Sequence, residues 1–492
     1  MVINLDNFDY LSANFFTQMH EFEQHLVRLL DDINEPLGLA LVALLALSGV
    51  WFTIRTRGVQ FRMIGEAFRM LFRNDSADGT RKHISSFQAF NISLASRIGT
   101  GNLAGVATAI AIGGPGAIFW MWVMALIGAA NAFVESTLAQ LFKVRGKDSF
   151  VGGPSYYIAK GMRCRWFAVI FAVAMIFDFG LMNNIVQSNT IALAVESALG
   201  VDGLPVPLLI TALTLAVIFG GVQRIARISS VIVPFMALLY LVVTVIVLIM
   251  RFDSIPDVLM LIVRNAFGAG PAVGGSVGTA IIYGFKRGLF SNEAGEGSAP
   301  QAAATAAVSH PVKQGLIQAL GVFTDTIVVC SCTAFIILCS GMYTSEANGI
   351  ELTQLALTNE IGPIGSTLIA VLIFFFAFSS IIGNYYYGES NLYFLTRSRH
   401  VMLAFRLVLG GLVFVGATAT LDLAWGLVDF FMAVTALCNL TALLLLGRYA
   451  VRCLDDYVAQ RKAGRNPVYR SSTIPEIADV TECWDDENRQ NR

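Results

Sequence analysis

Ser96-Arg97-Ile98-Gly99-Thr100-Gly101-Asn102-Leu103-Ala104-Gly105 interrupts a run that is apolar and helical in pattern on both sides. Glycine reaches backbone conformations closed to other residues, and inside a bilayer it lets the chain leave the helix where polar groups meet a cavity. A second cluster spans 268–297, where Gly268, Gly270, Gly274, Gly275, Gly278, Gly284, Gly288, Gly295 and Gly297 account for nine of the 44 glycines. Two turns compete for the second interruption, Gly274-Gly275-Ser276-Val277-Gly278 and Gly288-Leu289-Phe290-Ser291-Asn292-Glu293-Ala294-Gly295; the latter lies nearer the middle of its segment and is preferred.

Working outward, apolar runs lie near 37–54, 87–112, 117–142, 167–198, 206–222, 228–250, 271–308, 315–340, 364–385, 401–418 and 422–447, which makes eleven segments. The interrupted ones are the second and the seventh. Broken segments at corresponding positions of two five-helix halves point to an inverted repeat with its site near the bilayer midplane. Close packing of small residues is the rival reading, and the five-segment offset counts against it. The expected fold is therefore an all-α integral membrane protein of about 11 transmembrane helices. One extra N-terminal helix precedes a 5+5 inverted-repeat core with two discontinuous helices.

Composition agrees. Of 492 residues 55% are hydrophobic and 14% charged, against about 25% charged in soluble domains, and mean hydropathy is +0.66. A net charge of −1 excludes a generally basic nucleic-acid binder. The seven cysteines show neither metal spacing nor a disulfide framework and read as reduced packing residues.

Lys and Arg between segments set orientation. Arg55, Arg57, Arg62, Arg69, Arg73, Arg81 and Lys82 fill one loop, and Lys143, Arg145, Lys147, Lys160, Arg163 and Arg165 another. The alternation continues through Arg224, Arg227, Lys313, Arg397, Arg399 and the tail, whereas Arg251 and Arg264 are nearly alone on the other side. This predicts an N-terminus outside and a C-terminus in the cytoplasm, and the lack of an organellar targeting segment fits a bacterial inner membrane. Residues 1–36 read as an extracytoplasmic interfacial helix, striped by Leu11, Phe15, Met19, Phe22, Leu26 and Leu29 and stopped by Pro36. The transporter domain spans 37–450. Residues 451–492 read as a polar cytoplasmic tail, disordered after about 455. Residues 58–73 suit a helix lying on the anionic leaflet.

Polar residues inside apolar segments are costly and mark function. The first break offers N–H groups at Gly99, Thr100 and Gly101 and the positive end of a half-helix starting near Asn102, which suits a carboxylate. Asn183, Asn184 and Gln187 lie in the fourth segment, Ser379, Ser380 and Asn384 in the ninth. Hydroxyls and carbonyls are hard oxygen ligands, so a sodium site between the first break and Ser379 and Ser380 is expected; back-bonding of serine to its own helix is the bland alternative. Ser291 and Asn292 in the second break are further substrate-site candidates. Arg97 pairs with Asp178, Glu135 or Glu293, or faces the substrate. Asp325 has no partner that the sequence identifies.

The run Gly113-Gly114-Pro115-Gly116-Ala117-Ile118-Phe119-Trp120-Met121-Trp122-Val123-Met124-Ala125-Leu126-Ile127-Gly128 resembles the signature of the alanine/glycine:cation symporters, also called sodium:alanine symporters. GTGNLAGVATAI, VGGPSYYIAKGM, KRGLFSNEAGEGSAP, HPVKQGL and GVFTDT resemble the same family in order, over about 37–450. The resemblance implies the leucine-transporter architecture and Na⁺- or H⁺-coupled uptake of a small neutral amino acid, alanine or glycine, with no cofactor. It further implies that Thr100 and Gly101 hold the carboxylate and that Gln187 lines the pocket. The backbone of Ala95 and Ile98 would hold sodium with Ser379 and Ser380, and Asn102 would ligate the cation or organise the site. Many members carry Trp where Asn384 stands and a small residue where Arg97 stands. A carboxamide in place of an indole widens the pocket and adds hydrogen-bonding capacity, which brings in glutamine or asparagine as substrates.

Other functions fit less well. GGSVG at 274–278 matches a nucleophile pattern but lacks the strand-to-helix context, and the five histidines lie outside the apolar runs. No HExxH or Walker sequence is present, so the energy for transport must come from an ion gradient. A channel would show charge rings or repeated filter sequences, and neither is visible.

Overall fold

The computed structural model describes residues 5–72, 84–146, 149–268, 276–418 and 422–484, with the side chains of 5–23 and 422 outside that description. Gly270, Gly274, Gly275, Arg73, Arg81, Lys82, Lys147 and residues 485–492 therefore lie outside the described residues, as do the side chains of Leu11, Phe15, Met19 and Phe22.

Within the described residues every apolar run carries helix. Helix α1 (Leu5–Arg55) precedes the core. The second segment is α2 (Ser86–Arg97), the π-helical turn Gly101–Gly105 and α3 (Val106–Gly113). Ser85 starts α2 through a capping box with Gln88, which satisfies two orphan backbone donors. Next come α4 (Gly116–Leu141), α5 (Arg165–Phe177) continued by α6 (Asn183–Leu199), α7 (Pro205–Ile218) and α8 (Gly221–Met250). The second half repeats the order: α9 (Val277–Asn292) and α10 (Ala299–Thr305) around a break, α11 (Pro311–Val322) continued by α12 (Ser331–Ser340), α13 (Ile364–Leu395), α14 (Arg399–Gly416) and α15 (Asp422–Lys462). Eight helices among the described residues are long and apolar enough to cross a membrane, and the Gly101–Gly113 and Pro205–Ile218 helices are shorter apolar elements.

The inverted repeat is visible in the packing. Helix α4 packs along α11, α6 along α13, and α7 along α14. These are the third and eighth, fourth and ninth, and fifth and tenth segments, so corresponding helices of the two halves meet each other, as a pseudo-two-fold axis between them requires.

Two expectations are corrected. Pro36 does not stop the first helix; it lies inside α1. Although an interior proline costs about 3 kcal/mol, α1 packs along α15 with Leu30, Leu41, Leu45 and Phe52 buried, and Asn34 Nδ2 donates to the Gly426 carbonyl at 2.9 Å. Nor is the tail disordered after 455 as far as the described residues reach, to Trp484. Helix α15 runs through residue 450 to Lys462, and the chain then folds back with Tyr469, Ile474, Ile477 and Trp484 buried. Trp484 Nε1 donates to the Gln140 carbonyl at 3.1 Å, and Lys160–Glu482 (2.5 Å), Arg163–Asp479 (3.2 Å) and Arg452–Glu476 (2.6 Å) ion pairs fasten the segment. Polar average composition concealed a few widely spaced anchors. The 58–73 stretch forms two short helices, Val59–Arg62 and Ile64–Phe72, after a turn at Gly58 with φ +63°.

Candidate functional site

Helix α2 unwinds where Ile98 takes ψ 86°. Gly99 follows at a close approach: a Cβ there would lie 2.2 Å from Ser380 Oγ and 3.0 Å from Gln187 Oε1, so glycine is a steric requirement at this point. The chain recovers through Asn102. Its Oδ1 accepts from Gly99 N at 2.9 Å, and its own N–H donates to the Gly99 carbonyl at 3.3 Å. Gln187 of α6 accepts from Thr100 N at 3.1 Å and donates to Asn183 Oδ1 at 3.1 Å. The Thr100 hydroxyl is buried and has no hydrogen-bond partner among the described residues.

Beside this break stands the ninth segment. Ser380 Oγ lies 3.0 Å from the carbonyls of Ala95 and of Ser96, 3.5 Å from that of Ile98 and 3.1 Å from that of Phe376 in its own helix. Ser379 Oγ lies 3.3 Å from the Ala95 carbonyl and 2.9 Å from that of Phe376. Ala95, Ile98, Ser379 and Ser380 are all fully buried, so four of the five residues expected around sodium come together. Asn102 stands apart from them. Its Nδ2 donates to Asp325 Oδ1 at 2.6 Å and approaches Cys330 Sγ at 3.3 Å.

The second break falls at the C-terminal end of the preferred stretch. Helix α9 ends at Asn292, Glu293 adopts φ +56°, Gly295 φ +90° and Gly297 φ +91°, and α10 begins at Ala299. At the competing turn, Ser276 caps the start of α9. Ser291 Oγ donates to Asp325 Oδ2 at 2.8 Å, and a Cβ on Gly101 would lie 3.0 Å from Ser291 Cα, so the two breaks touch. Asn292 caps Ala294 N at 3.0 Å and reaches Thr326 Oγ1 at 2.9 Å, which is a framework role. Asn384 Oδ1 lies 2.6 Å from Ser96 Oγ, whose single proton it shares with Glu293 Oε1 at 2.5 Å as alternative acceptors, while its buried Nδ2 has no partner among the described residues. Its placement is one helical turn beyond Ser380, under the first break.

Sequence reading missed how the acids are used. Asp325 clamps the breaks together, taking Asn102 from the first and Ser291 from the second, with Thr326 Oγ1 also donating at 2.8 Å. Glu293 accepts from Ser96 at 2.5 Å and from Ser298. Glu135 of α4 accepts from Gly295 N at 3.3 Å and from Asn439 Nδ2 at 2.8 Å. Arg97 forms one hydrogen bond among the described residues, from Nη1 to the Gln318 carbonyl at 3.2 Å. Of the three carboxylates weighed for it, Glu135 and Glu293 share its field, as does Asp325, whereas Asp178 faces Glu296. A usable signal was the alternation of acids with glycines in N-E-A-G-E-G. The π-helical turns Gly101–Gly105, Asp178–Met182 and Phe323–Cys330 carry Asn102, Asp178 and Asp325, consistent with the tendency of such turns to sit at functional sites.

Known proteins resemble this chain in sequence and in fold. The sodium:alanine symporter family matches residues 22–471. The chain is 47% identical over 467 residues to the probable sodium/glutamine symporter GlnT of Bacillus subtilis, covering 95% of this chain and 97% of that one. It is 48% identical over 442 residues to the amino-acid carrier protein AlsT of the same organism, covering 90% and 94%. Among solved structures, MhsT in complex with L-phenylalanine superposes with a TM-score of 0.52 at 13% identity over 82% of this chain and 93% of that one, a likeness of fold alone. The long family match, the high identity and the two-break inverted repeat agree: this chain belongs to the sodium:alanine symporter family, multi-pass membrane transporters of the leucine-transporter fold that couple amino-acid symport to sodium.

Proposed function

We propose that the protein imports a small neutral amino acid, alanine or glycine, together with Na⁺ by alternating access. The observation that carries this reading is the convergence of the Ala95 and Ile98 carbonyls with the Ser379 and Ser380 hydroxyls at the first break. Oxygen-only ligands on an unwound helix suit a small monovalent cation. Sodium ties α2 to α13 there. The substrate carboxylate docks on the Thr100 and Gly101 N–H groups, with Gly99, Gln187 and Ser291 around it, while Asn102, through Asp325, holds the two breaks in register and Asn292 braces the second. Once both are bound, the helices carrying the breaks rock against α6 and α13 and release their cargo to the cytoplasm. One charge moving down 100 mV supplies about 2.3 kcal/mol, and a tenfold sodium gradient adds about 1.4 kcal/mol.

The N-terminus lies outside and the C-terminus in the cytoplasm of the inner membrane, as the distribution of Lys and Arg supports. A second substrate reading is glutamine: the unpartnered Asn384 Nδ2 offers a donor below the pocket, and a relative at 47% identity is named a probable sodium/glutamine symporter. Uptake of labelled alanine, glycine and glutamine into proteoliposomes, with sodium set against choline and against a proton gradient, tests the proposal. Sodium-driven accumulation of alanine or glycine supports it, preference for glutamine selects the second reading, and uptake driven by protons alone overturns the sodium site.

A further inference from the structure

Away from the transport site, a cavity of about 450 Å³ opens where the ends of α13, α14 and α8 meet, lined among others by Tyr386, Glu389, Ser390, Arg397, Arg399 and Arg406. We propose that it seats the phosphate of an anionic glycerophospholipid. Three guanidinium groups face one carboxylate. Glu389 is engaged by Arg406 at 2.7 Å, and Arg397 lies over the Tyr393 ring at 5.4 Å, so the pocket keeps a surplus of two positive charges. The Tyr386 and Ser390 side chains both line the pocket and are each under 5% exposed, and their hydroxyls have no hydrogen-bond partner among the described residues. Unsatisfied buried hydroxyls are costly, and hydroxyls beside arginines are the donor set that phosphate oxygens take.

The surroundings favour a lipid over a free anion. Arg399, Leu403, Arg406 and Leu407 share one face of α14 by their spacing, and Leu403 reaches into the cavity wall. Leu403, Leu407 and Phe219 are exposed, and Arg406 lies over the Phe219 ring at 5.5 Å. A headgroup on the arginines would thus lay its acyl chains along an apolar ridge. Basic pockets between helices on the arginine-rich side of membrane proteins take anionic headgroups in this way.

Native mass spectrometry of the full-length protein, with phosphatidylglycerol and phosphatidylcholine in equal amounts, tests this. Preferential retention of phosphatidylglycerol is expected, reduced about tenfold by the Arg397→Gln/Arg399→Gln pair and by a smaller factor in Tyr386→Phe, with the thermal unfolding midpoint of each variant showing that it is folded. Equal retention of the two lipids, or unchanged selectivity in a folded Arg397→Gln/Arg399→Gln variant, overturns the proposal. Displacement of phosphatidylglycerol by millimolar inorganic phosphate overturns the lipid assignment and leaves a site for a free anion.

Discussion

The two helix breaks differ in what satisfies them. At the first, backbone groups meet neutral partners: Asn102 on Gly99, Gln187 on Thr100, and serine hydroxyls on the carbonyls of Ala95, Ser96 and Ile98. At the second, carboxylates do the holding: Glu293 ties Ser96 to Ser298, and Glu135 takes Gly295 N. Neutral hydroxyl and carboxamide partners exchange cheaply with an arriving ion or carboxylate. Buried carboxyl groups do not, because removing a partner leaves a strongly polar group unsatisfied in a low dielectric. This contrast supports the proposal that the first break is the ligand seat and the second the frame that holds it.

Glu293→Ala should be the most damaging change. It strands the Ser298 hydroxyl and removes a nearby balance to Arg97, so a loss of about 3–5 kcal/mol, read as a collapse of the thermal midpoint in detergent, is expected whether or not sodium is present. Next, Asn102→Ala leaves Gly99 N and one Asp325 oxygen without partners, each costing about 1–3 kcal/mol. Because Asn102 and Ser291 share Asp325, Asn102→Ala and Ser291→Ala should be non-additive in a double-mutant cycle; additivity would mean that the breaks are energetically separate.

The second break is also pinned from beyond the core. Gln140 Nε2 donates to the carbonyls of Ala303 and of Ala306, the latter at 3.1 Å, and Trp484 Nε1 donates to the Gln140 carbonyl. Trp484→Ala should therefore cost about 2 kcal/mol and increase proteolysis of residues after Lys462. His310, just outside the eighth segment, should give the smallest effect. Burial pushes its pKa below the ordinary 6.5, against the pull of Asp456 at 3.1 Å, with Lys313 acting in the same direction as burial; the rings of Tyr457 and Tyr469 complete its surroundings. The folded protein thus binds the proton less readily than the unfolded chain. Stability from this residue is complete above its ordinary pKa and declines as pH falls below it. Replacement by Asn should flatten that decline in a pH series of thermal midpoints.

The helices and both breaks could be read from the sequence because apolar length and glycine clustering are local signals. The serine–carbonyl cluster could be read too, since two adjacent serines in an otherwise apolar segment stand out against their neighbours. Partners of buried charges could not: Asp325 meets Asn102 across 223 positions and Ser291 across 34, distances over which no local pattern carries. Pro36 and the tail were misread for a related reason, because packing against α15 and the anchoring of Tyr469 and Trp484 are long-range effects that override local propensity and average composition.

The proposed mechanism turns on sodium binding where Ser380 meets the carbonyls of the first break. The most direct measurement is the sodium dependence of amino-acid uptake by proteoliposomes containing wild-type or Ser380→Ala protein at matched thermal stability. Ser380→Ala should raise the sodium concentration for half-maximal uptake about tenfold, equivalent to about 1.4 kcal/mol, with rates approaching wild type at saturating sodium. An unchanged sodium dependence in a folded variant would contradict that seat and move the cation elsewhere.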